Sequence, residues 1–202
     1  MMPPQERRAA FEKWDSKVIS VYADGHAGVP CLVTFQGVVA RNLVLVVSDL
    51  AVRSAAALGV ALATLDHARM RNAALAVAIE RYLDMAAPLG TNHDRRLVER
   101  ILAALVHRSE SATRSKLMHV TVALPGTTVA RLDEEIRRVL DHVDTGTVDD
   151  WPGDLTSDVR SCVIEAAAAE WMHQRAESFG TALGRDRTAE CASQTFHRRP
   201  SR

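Results

Sequence analysis

The chain has 202 residues, of which 47% are hydrophobic, 25% charged and 4% aromatic, and its 25 basic side chains balance 25 acidic ones. This composition is that of an ordinary folded domain and excludes a mainly disordered chain. Zero net charge gives no general argument for nucleic-acid binding. No apolar run approaches the roughly 20 residues of a membrane helix. The N-terminus lacks the apolar stretch of a signal peptide, so we expect a cytoplasmic protein without membrane association.

The first 40 residues predict a short helix followed by a β-hairpin. The helix covers Arg7 to Trp14, and the two β-rich runs that follow are KVISVY and VPCLVTF. The segment ADGHAG between these runs has the glycines and the aspartate of a turn. Residues 1–40 are therefore predicted to form an N-terminal extension with a hairpin.

The rest of the chain repeats a pattern of one strand followed by two helices. In the first unit, residues 41–90, NLVLVVSD predicts the strand, and LAVRSAAALGVALA and RMRNAALAVAIERYLDMA predict the helices. In the second unit, residues 117–179, MHVTVALP predicts the strand, and TTVARLDEEIRRVLDHV and TSDVRSCVIEAAAAEWMHQRA predict the helices. A connector helix, residues 91–116, joins the units. A basic tail, residues 180–202, loses hydrophobic periodicity and is expected to be disordered.

Two offsets relate the units. Strand position Leu43 matches Val120 at a shift of 77 residues, and second-helix position Ala78 matches Ala167 at a shift of 89. One insertion around Trp151 would explain the difference. A single strand with two helices can neither bury its apolar face nor pair its strand edge. We therefore expect the strands, residues 42–47 and 119–124, to pair antiparallel beneath four helices.

The motifs of the second unit carry a family resemblance. HVTVALPGTTVARLDEEI and VRSCVIEAAAAEWM resemble the ribbon-helix-helix DNA-binding proteins of the Arc and MetJ type, and RNAALAVAIERYL fits the same pattern in the first unit. Two units on one chain resemble the tandem arrangement of TraY-like relaxosome proteins and of border-binding virulence proteins of Ti plasmids. The resemblance implies a mainly α fold with short β, in which two ribbon-helix-helix units form an intramolecular pseudodimer. It also implies a monomeric DNA-binding protein, with higher association left open.

The predicted ribbon would read DNA with its outward side chains. A two-stranded ribbon fits the major groove, where each base pair has its own pattern of donors, acceptors and methyl groups. Residues 43–47 could instead form a strand buried on both faces, and the second strand could present a solvated face. The candidate base contacts are Asn42, Val44 and Val46 on one strand and His119, Thr121 and Ala123 on the other.

Free backbone amides at a helix N-terminus bind anions, and the family resemblance implies phosphate contacts by residues at the start of each second helix. Basic residues of the connector could add to them. Capping by Thr156 or Ser157 is an alternative role for the start of the last helix. The basic tail could touch DNA or serve only as a solubilising end. The candidate phosphate contacts are Arg71, Asn72, Arg160, Ser161, Arg114 and Lys116.

Charge is the main argument against DNA binding. Residues 119–179 contain 12 acidic and 5 basic side chains, which would repel phosphates wherever they faced DNA. The alternative is therefore a protein-interaction module, antitoxin-like or a relaxosome scaffold, that keeps the fold. No phosphate loop, dinucleotide fingerprint, nucleophile elbow or zinc motif is present, so we predict a non-enzyme without metal or cofactor. The favoured prediction is a sequence-specific regulator of transcription or an accessory factor in plasmid transfer, that is, conjugation.

Overall fold

The fold is mainly helical with one two-stranded antiparallel sheet, as the sequence predicts. The computed structural model describes residues 4–25, 28–86, 117–141 and 154–179. The predicted connector helix, the loop around Trp151 and the basic tail lie outside these ranges. In chain order the elements are α1 (Pro4–Asp24), β1 (Val29–Gln36), α2 (Gly37–Leu58), a short 3-10 helix (Leu62–Thr64), α3 (His67–Ala86), β2 (Leu117–Leu124), α4 (Gly126–Leu140) and α5 (Leu155–Phe179).

The predicted N-terminal hairpin is wrong, because KVISVY belongs to α1. Its buried side chains follow a helical spacing, since Val18 and Tyr22 are both buried and lie four residues apart. Trp14, four residues before Val18, packs on the same core. The helix ends before Gly25, whose φ of 65° belongs to the left-handed region that glycine adopts without strain. The β-branched residues of this run therefore serve a helix face.

The second run of the predicted hairpin, VPCLVTF, does form a strand, but its partner is the strand of the second unit. β1 pairs antiparallel with β2 in a register that runs from Val29 opposite Leu124 to Gln36 opposite Leu117. Cys31, Val33 and Phe35 are buried on one face of this ribbon. The expected pairing of two distant strands is therefore present, with residues 29–36 in place of residues 42–47.

Residues 42–47 lie in the middle of α2, and their assignment to a strand is wrong. Leu43, Val46, Val47 and Leu50 are buried at spacings of three and four, which is the period of a helix with one apolar face. Asn42, Val44 and Val46 consequently lie on α2 and outside the ribbon. The helix ends at Gly59, whose φ of 66° places it in the left-handed region of a C-cap.

One shift of 89 residues relates the two strand-helix-helix segments throughout. Gly37 and Gly126, which begin α2 and α4, are 89 residues apart. The same shift carries Val33 onto Val122, Leu43 onto Leu132, Val47 onto Ile136, Ala74 onto Val163 and Ala78 onto Ala167, and all ten are buried. The shift of 77 for the strands is wrong because the first strand lies earlier in the chain. No insertion is needed to relate the segments.

A buried charge cluster ties α1 to the helical layer. The Arg175 guanidinium on α5 donates to Asp15 Oδ2 on α1 at 3.1 Å and to Asp49 Oδ2 on α2 at 2.6 Å. Burial works against the charge of Arg175, but the hydrogen bonds and charges of both carboxylates outweigh it and raise the pKa of this side chain. The cluster holds α1 against α2 and α5.

Candidate nucleic-acid interface

The candidate interface is the outer face of the ribbon, which we define by the residues that alternate with the buried ones. Leu32 is 58% exposed, and His119 and Thr121 are exposed on the neighbouring strand. Because side chains alternate across a strand, burial of Cys31 and Val33 fixes this outward set. The outer face consists of Pro30, Leu32, Thr34 and Gln36 on β1 and Leu117, His119, Thr121 and Ala123 on β2.

The register divides this face into two unlike ends around a central pair. Leu32 lies opposite Thr121 at the centre. At one end, which we call the polar end, Thr34 lies opposite His119, and Thr34 Oγ1 is 3.0 Å from His119 Nδ1. At the other end, the apolar end, Pro30 lies opposite Ala123. Hydrogen-bonding side chains are therefore concentrated at the centre and the polar end.

Helix α5 supports β1 at the polar end. The backbone N–H of Thr34 donates to Ser161 Oγ at 3.0 Å, and the backbone N–H of Gln36 donates to Glu165 Oε2 at 3.0 Å. Ser161, a predicted phosphate contact, is buried and holds the strand through this bond. Pro125 follows β2 at the position equivalent to Gln36 and has no N–H that needs a partner.

Helix α3 supports β2 at the apolar end in the equivalent way. The side-chain amide of Asn72 forms hydrogen bonds through both its oxygen and its nitrogen in only one of its two orientations. In that orientation Oδ1 accepts from the backbone N–H of Ala123 at 3.3 Å. Arg71 Nη2 donates to the Thr121 carbonyl at 2.9 Å. Asn72 and Ser161 occupy equivalent positions, 89 residues apart, so each second helix fastens the strand of the other segment.

The two arginines expected to contact phosphate, Arg71 and Arg160, are also equivalent but have different partners. Arg160 Nη2 donates to Asp133 Oδ1 on α4 at 2.9 Å, with the two side chains 27% and 50% exposed. Burial lowers the pKa of Arg71, and attraction to Asp66 opposes this effect. Val44 occupies the position in α2 that Asp133 occupies in α4. Arg71 therefore bonds a neutral carbonyl, whereas Arg160 is neutralised by a carboxylate.

Acidic side chains occupy the helix starts that were expected to bind anions. Asp66 Oδ1 accepts from the backbone N–H groups of Ala68 and Arg69 at the start of α3, at 2.8 and 3.1 Å. Asp154 Oδ1 accepts from the backbone N–H of Ser157 at the start of α5, at 3.3 Å. The cap of α5 is thus Asp154 and not Thr156 or Ser157. These carboxylates compete with any phosphate for the same amides.

The acidic run of α4 is paired with arginines, which weakens its repulsion of anions. Glu135 is buried, whereas Asp133 and Glu134 are exposed. The ion pairs are Asp133 with Arg160, Glu134 with Arg137 and Glu135 with Arg138.

The sequence predicted the outward residues of β2 but missed those of β1. Pro30, Leu32 and Thr34 alternate with three apolar residues. A helix that begins at a glycine follows β1 directly and follows β2 after one residue. This shared pattern, an alternating strand followed by a helix with glycine at its start, is the sequence signal that could have located β1. Arg114 and Lys116, the other two predicted phosphate contacts, lie outside the described residues.

Within the described part of the chain, no cluster of histidine, cysteine, aspartate or glutamate has the arrangement of a metal site. No described helix combines the length and apolar character needed to cross a bilayer. Comparisons with protein-family models, with curated proteins and with solved structures gave no match. The argument for function therefore depends on the geometry of the ribbon and its supporting helices.

Proposed function

We propose that the protein binds double-stranded DNA through the outer face of the β1–β2 ribbon and is not an enzyme. The observation that carries this proposal is a two-stranded ribbon whose inner side chains Cys31, Val33, Phe35, Val122 and Leu124 are buried. Its outer face exposes Leu32 and Thr121 at the centre and His119 at the polar end. A ribbon of this width fits the major groove, where side chains can reach base edges. The role would be regulation of transcription or assistance in plasmid transfer.

The arrangement of the segments supports a pseudodimer of two ribbon-helix-helix units within one chain. Both segments have the order strand, helix, helix, and one shift of 89 residues carries Gly37 onto Gly126 and the buried positions of one segment onto those of the other. The same shift carries Leu32 onto Thr121, which are direct partners across the sheet. This pair would therefore mark the approximate two-fold axis of the pseudodimer.

The proposed base contacts are the outward residues of both strands. On the second strand, the candidates from the sequence are kept: His119 and Thr121 would offer hydrogen bonds, and Ala123 would offer a methyl contact. On the first strand, Pro30, Leu32 and Thr34 take the place of Asn42, Val44 and Val46, which lie in α2. The unlike strands imply an asymmetric DNA site, because each half meets different side chains.

Phosphate contacts would come from Arg71 and, after release from Asp133, from Arg160. Both flank the ribbon through the helices that hold its strands. Asn72 and Ser161 would act indirectly, because their side chains fix strand backbone. The carboxylates of Asp66 and Asp154 at the helix starts make these sites weaker for anions than bare helix N-termini.

The test is fluorescence anisotropy of the full chain with labelled duplex DNA over a range of salt concentrations. We expect saturable binding that weakens steeply as salt rises, and a loss of affinity for the double variant His119→Ala with Thr121→Ala. The matched control is Ser16→Ala with Ser20→Ala, two exposed, uncharged side chains on α1. Absence of binding at low salt, or equal effects of the two double variants, would reject the ribbon as the DNA-binding surface.

A second proposal, a protein-interaction module, is favoured by an apolar strip on α2. Val44, Leu45 and Val52 are all at least half exposed, at 62%, 50% and 56%. Exposed apolar side chains that cluster on one helix are typical of protein contacts. Recovery of a stable protein complex that Val44→Ser with Val52→Ser abolishes, together with no affinity for duplex DNA, would favour this function.

A further inference from the structure

The two ends of the outer face differ in the kind of base contact that they can make. At the apolar end, neither the pyrrolidine ring of Pro30 nor the methyl group of Ala123 can donate or accept a hydrogen bond. Leu32 extends this apolar surface to the centre, where it is 58% exposed. Such side chains cannot distinguish bases by hydrogen bonds.

The two backbones approach closely at the apolar end. Gly28, directly before β1, lies so close to the second strand that a Cβ on it would be 2.7 Å from the carbonyl carbon of Ala123. The N–H of Ala123 is engaged by Asn72, and Pro30 has no N–H. The backbone N–H groups of this pair therefore offer no donor to a base.

At the polar end most outward side chains can form hydrogen bonds: Thr34, Gln36 and His119 can, whereas Leu117, in the last pair of the sheet, is apolar and only partly exposed. Thr34 and His119 are linked through Oγ1 and Nδ1 at 3.0 Å, which leaves His119 Nε2 as the ring nitrogen for a base edge. The bond to Thr34 also fixes the orientation of the imidazole ring. Together with Thr121 at the centre, this end can donate to and accept from base edges.

The major groove contains one kind of apolar group in unmodified DNA, the C5 methyl of thymine. We propose that the apolar end contacts thymine methyl groups while the polar end hydrogen-bonds to bases, so that the protein binds its DNA site in one orientation. This inference depends on the proposed DNA-binding function. It adds the base chemistry that each end selects and the direction of the protein on the duplex.

The first test compares duplexes that differ only in a major-groove methyl group. The probes are alternating d(A-T), d(A-U), d(G-C) and d(G-5-methyl-C) duplexes, measured by anisotropy with the full chain. Burial of one methyl group is expected to increase affinity about threefold to fourfold. Binding should therefore be tighter to d(A-T) than to d(A-U), and tighter to d(G-5-methyl-C) than to d(G-C).

Variants separate a methyl contact from a general change in duplex shape. Leu32→Ala should reduce both methyl effects, and His119→Ala should lower overall affinity while leaving them intact. If the wild type binds all four duplexes with equal affinity, the methyl contact is wrong although DNA binding remains. If it binds none of them, the DNA-binding function itself fails.

A second test measures the orientation. A duplex enriched from a randomised library is re-synthesised with single thymine-to-uracil replacements at each position. We expect every methyl-sensitive position to lie at the centre or on one side of it. Sensitive positions placed equally on both sides would overturn the single orientation.

Discussion

Release of Arg160 from its carboxylate partner should strengthen DNA binding, and Asp133→Asn is the substitution that achieves it. Arg71 and Arg160 occupy equivalent positions, but Arg71 bonds the Thr121 carbonyl and Arg160 bonds Asp133. An arginine held by a carboxylate must exchange that partner for a phosphate. Asparagine has almost the same shape as aspartate but no charge, so the variant removes this competition.

The expected magnitude follows from the exposure of the pair. Its side chains are 27% and 50% exposed, and exposed ion pairs contribute about 0–1 kcal/mol. The free energy needed to break this ion pair therefore lowers the DNA affinity of the wild type by at most about fivefold. Asp133→Asn removes that cost and should raise the affinity by up to the same factor. If one more phosphate contact forms, the slope of log K against log salt should also steepen by about 0.9.

Anisotropy between about 50 and 200 mM salt measures both quantities. The matched control is Glu134→Gln, which makes the same charge change at a 67% exposed position whose partner is Arg137 on the same helix. The converse substitution, Val44→Asp, puts a carboxylate at the position equivalent to Asp133 and should weaken binding by offering Arg71 an acidic partner. Equal effects of Asp133→Asn and Glu134→Gln would refute the reasoning.

Three further predictions concern stability. Val33→Ala should lower the free energy of unfolding, measured by urea titration, by about 1–3 kcal/mol because the side chain is fully buried. Leu32→Ala on the outer face should change it by about 0.5 kcal/mol or less. Equal losses for the two variants would contradict the register. Arg175→Met leaves the buried Asp15 carboxylate without its main partner and should cost about 3–5 kcal/mol by thermal or urea unfolding, so a near-neutral result would contradict the charge cluster. Burial raises the pKa of the Cys31 thiol above 9.0. The thiol therefore ionises at lower pH in the unfolded chain than in the folded one, and the folded state loses stability as pH rises above about 9. Cys31→Val should reduce this loss, and the same stability-versus-pH profile for both proteins would contradict the prediction.

The second strand was predictable because its residue pattern is typical of a strand and does not also fit a helix. MHVTVALP alternates apolar and polar residues, and Pro125 and Gly126 mark its end. Val122 and Leu124 are buried as the alternation requires. The outward positions of His119, Thr121 and Ala123 followed from the same period of two.

The first strand was misplaced because apolar β-branched runs occur in both helices and strands. NLVLVVSD contains the helical positions Leu43, Val46 and Val47, but Val44 and Leu45 are apolar as well and hide the period. KVISVY presents the same ambiguity within α1. In VPCLVTF the outward Leu32 is also apolar, so polarity does not mark its exposed face.

The partners of the predicted phosphate contacts depend on tertiary structure that no local pattern contains. Ser161 meets the backbone of Thr34, 127 residues earlier in the chain. Arg160 meets Asp133 only because α4 and α5 pack together. The sequence predicted that both residues lie at the start of the last helix. Whether either side chain can bind an anion depends on its partners in the folded chain.

Selection of duplex DNA from a randomised library by the wild-type chain, repeated with the variant Leu32→Ala, His119→Ala and Thr121→Ala, tests the central claim most directly. The account predicts that the wild type enriches one asymmetric sequence and that the ribbon variant does not. Enrichment of the same sequence by both proteins would contradict the claim that the β1–β2 ribbon reads DNA.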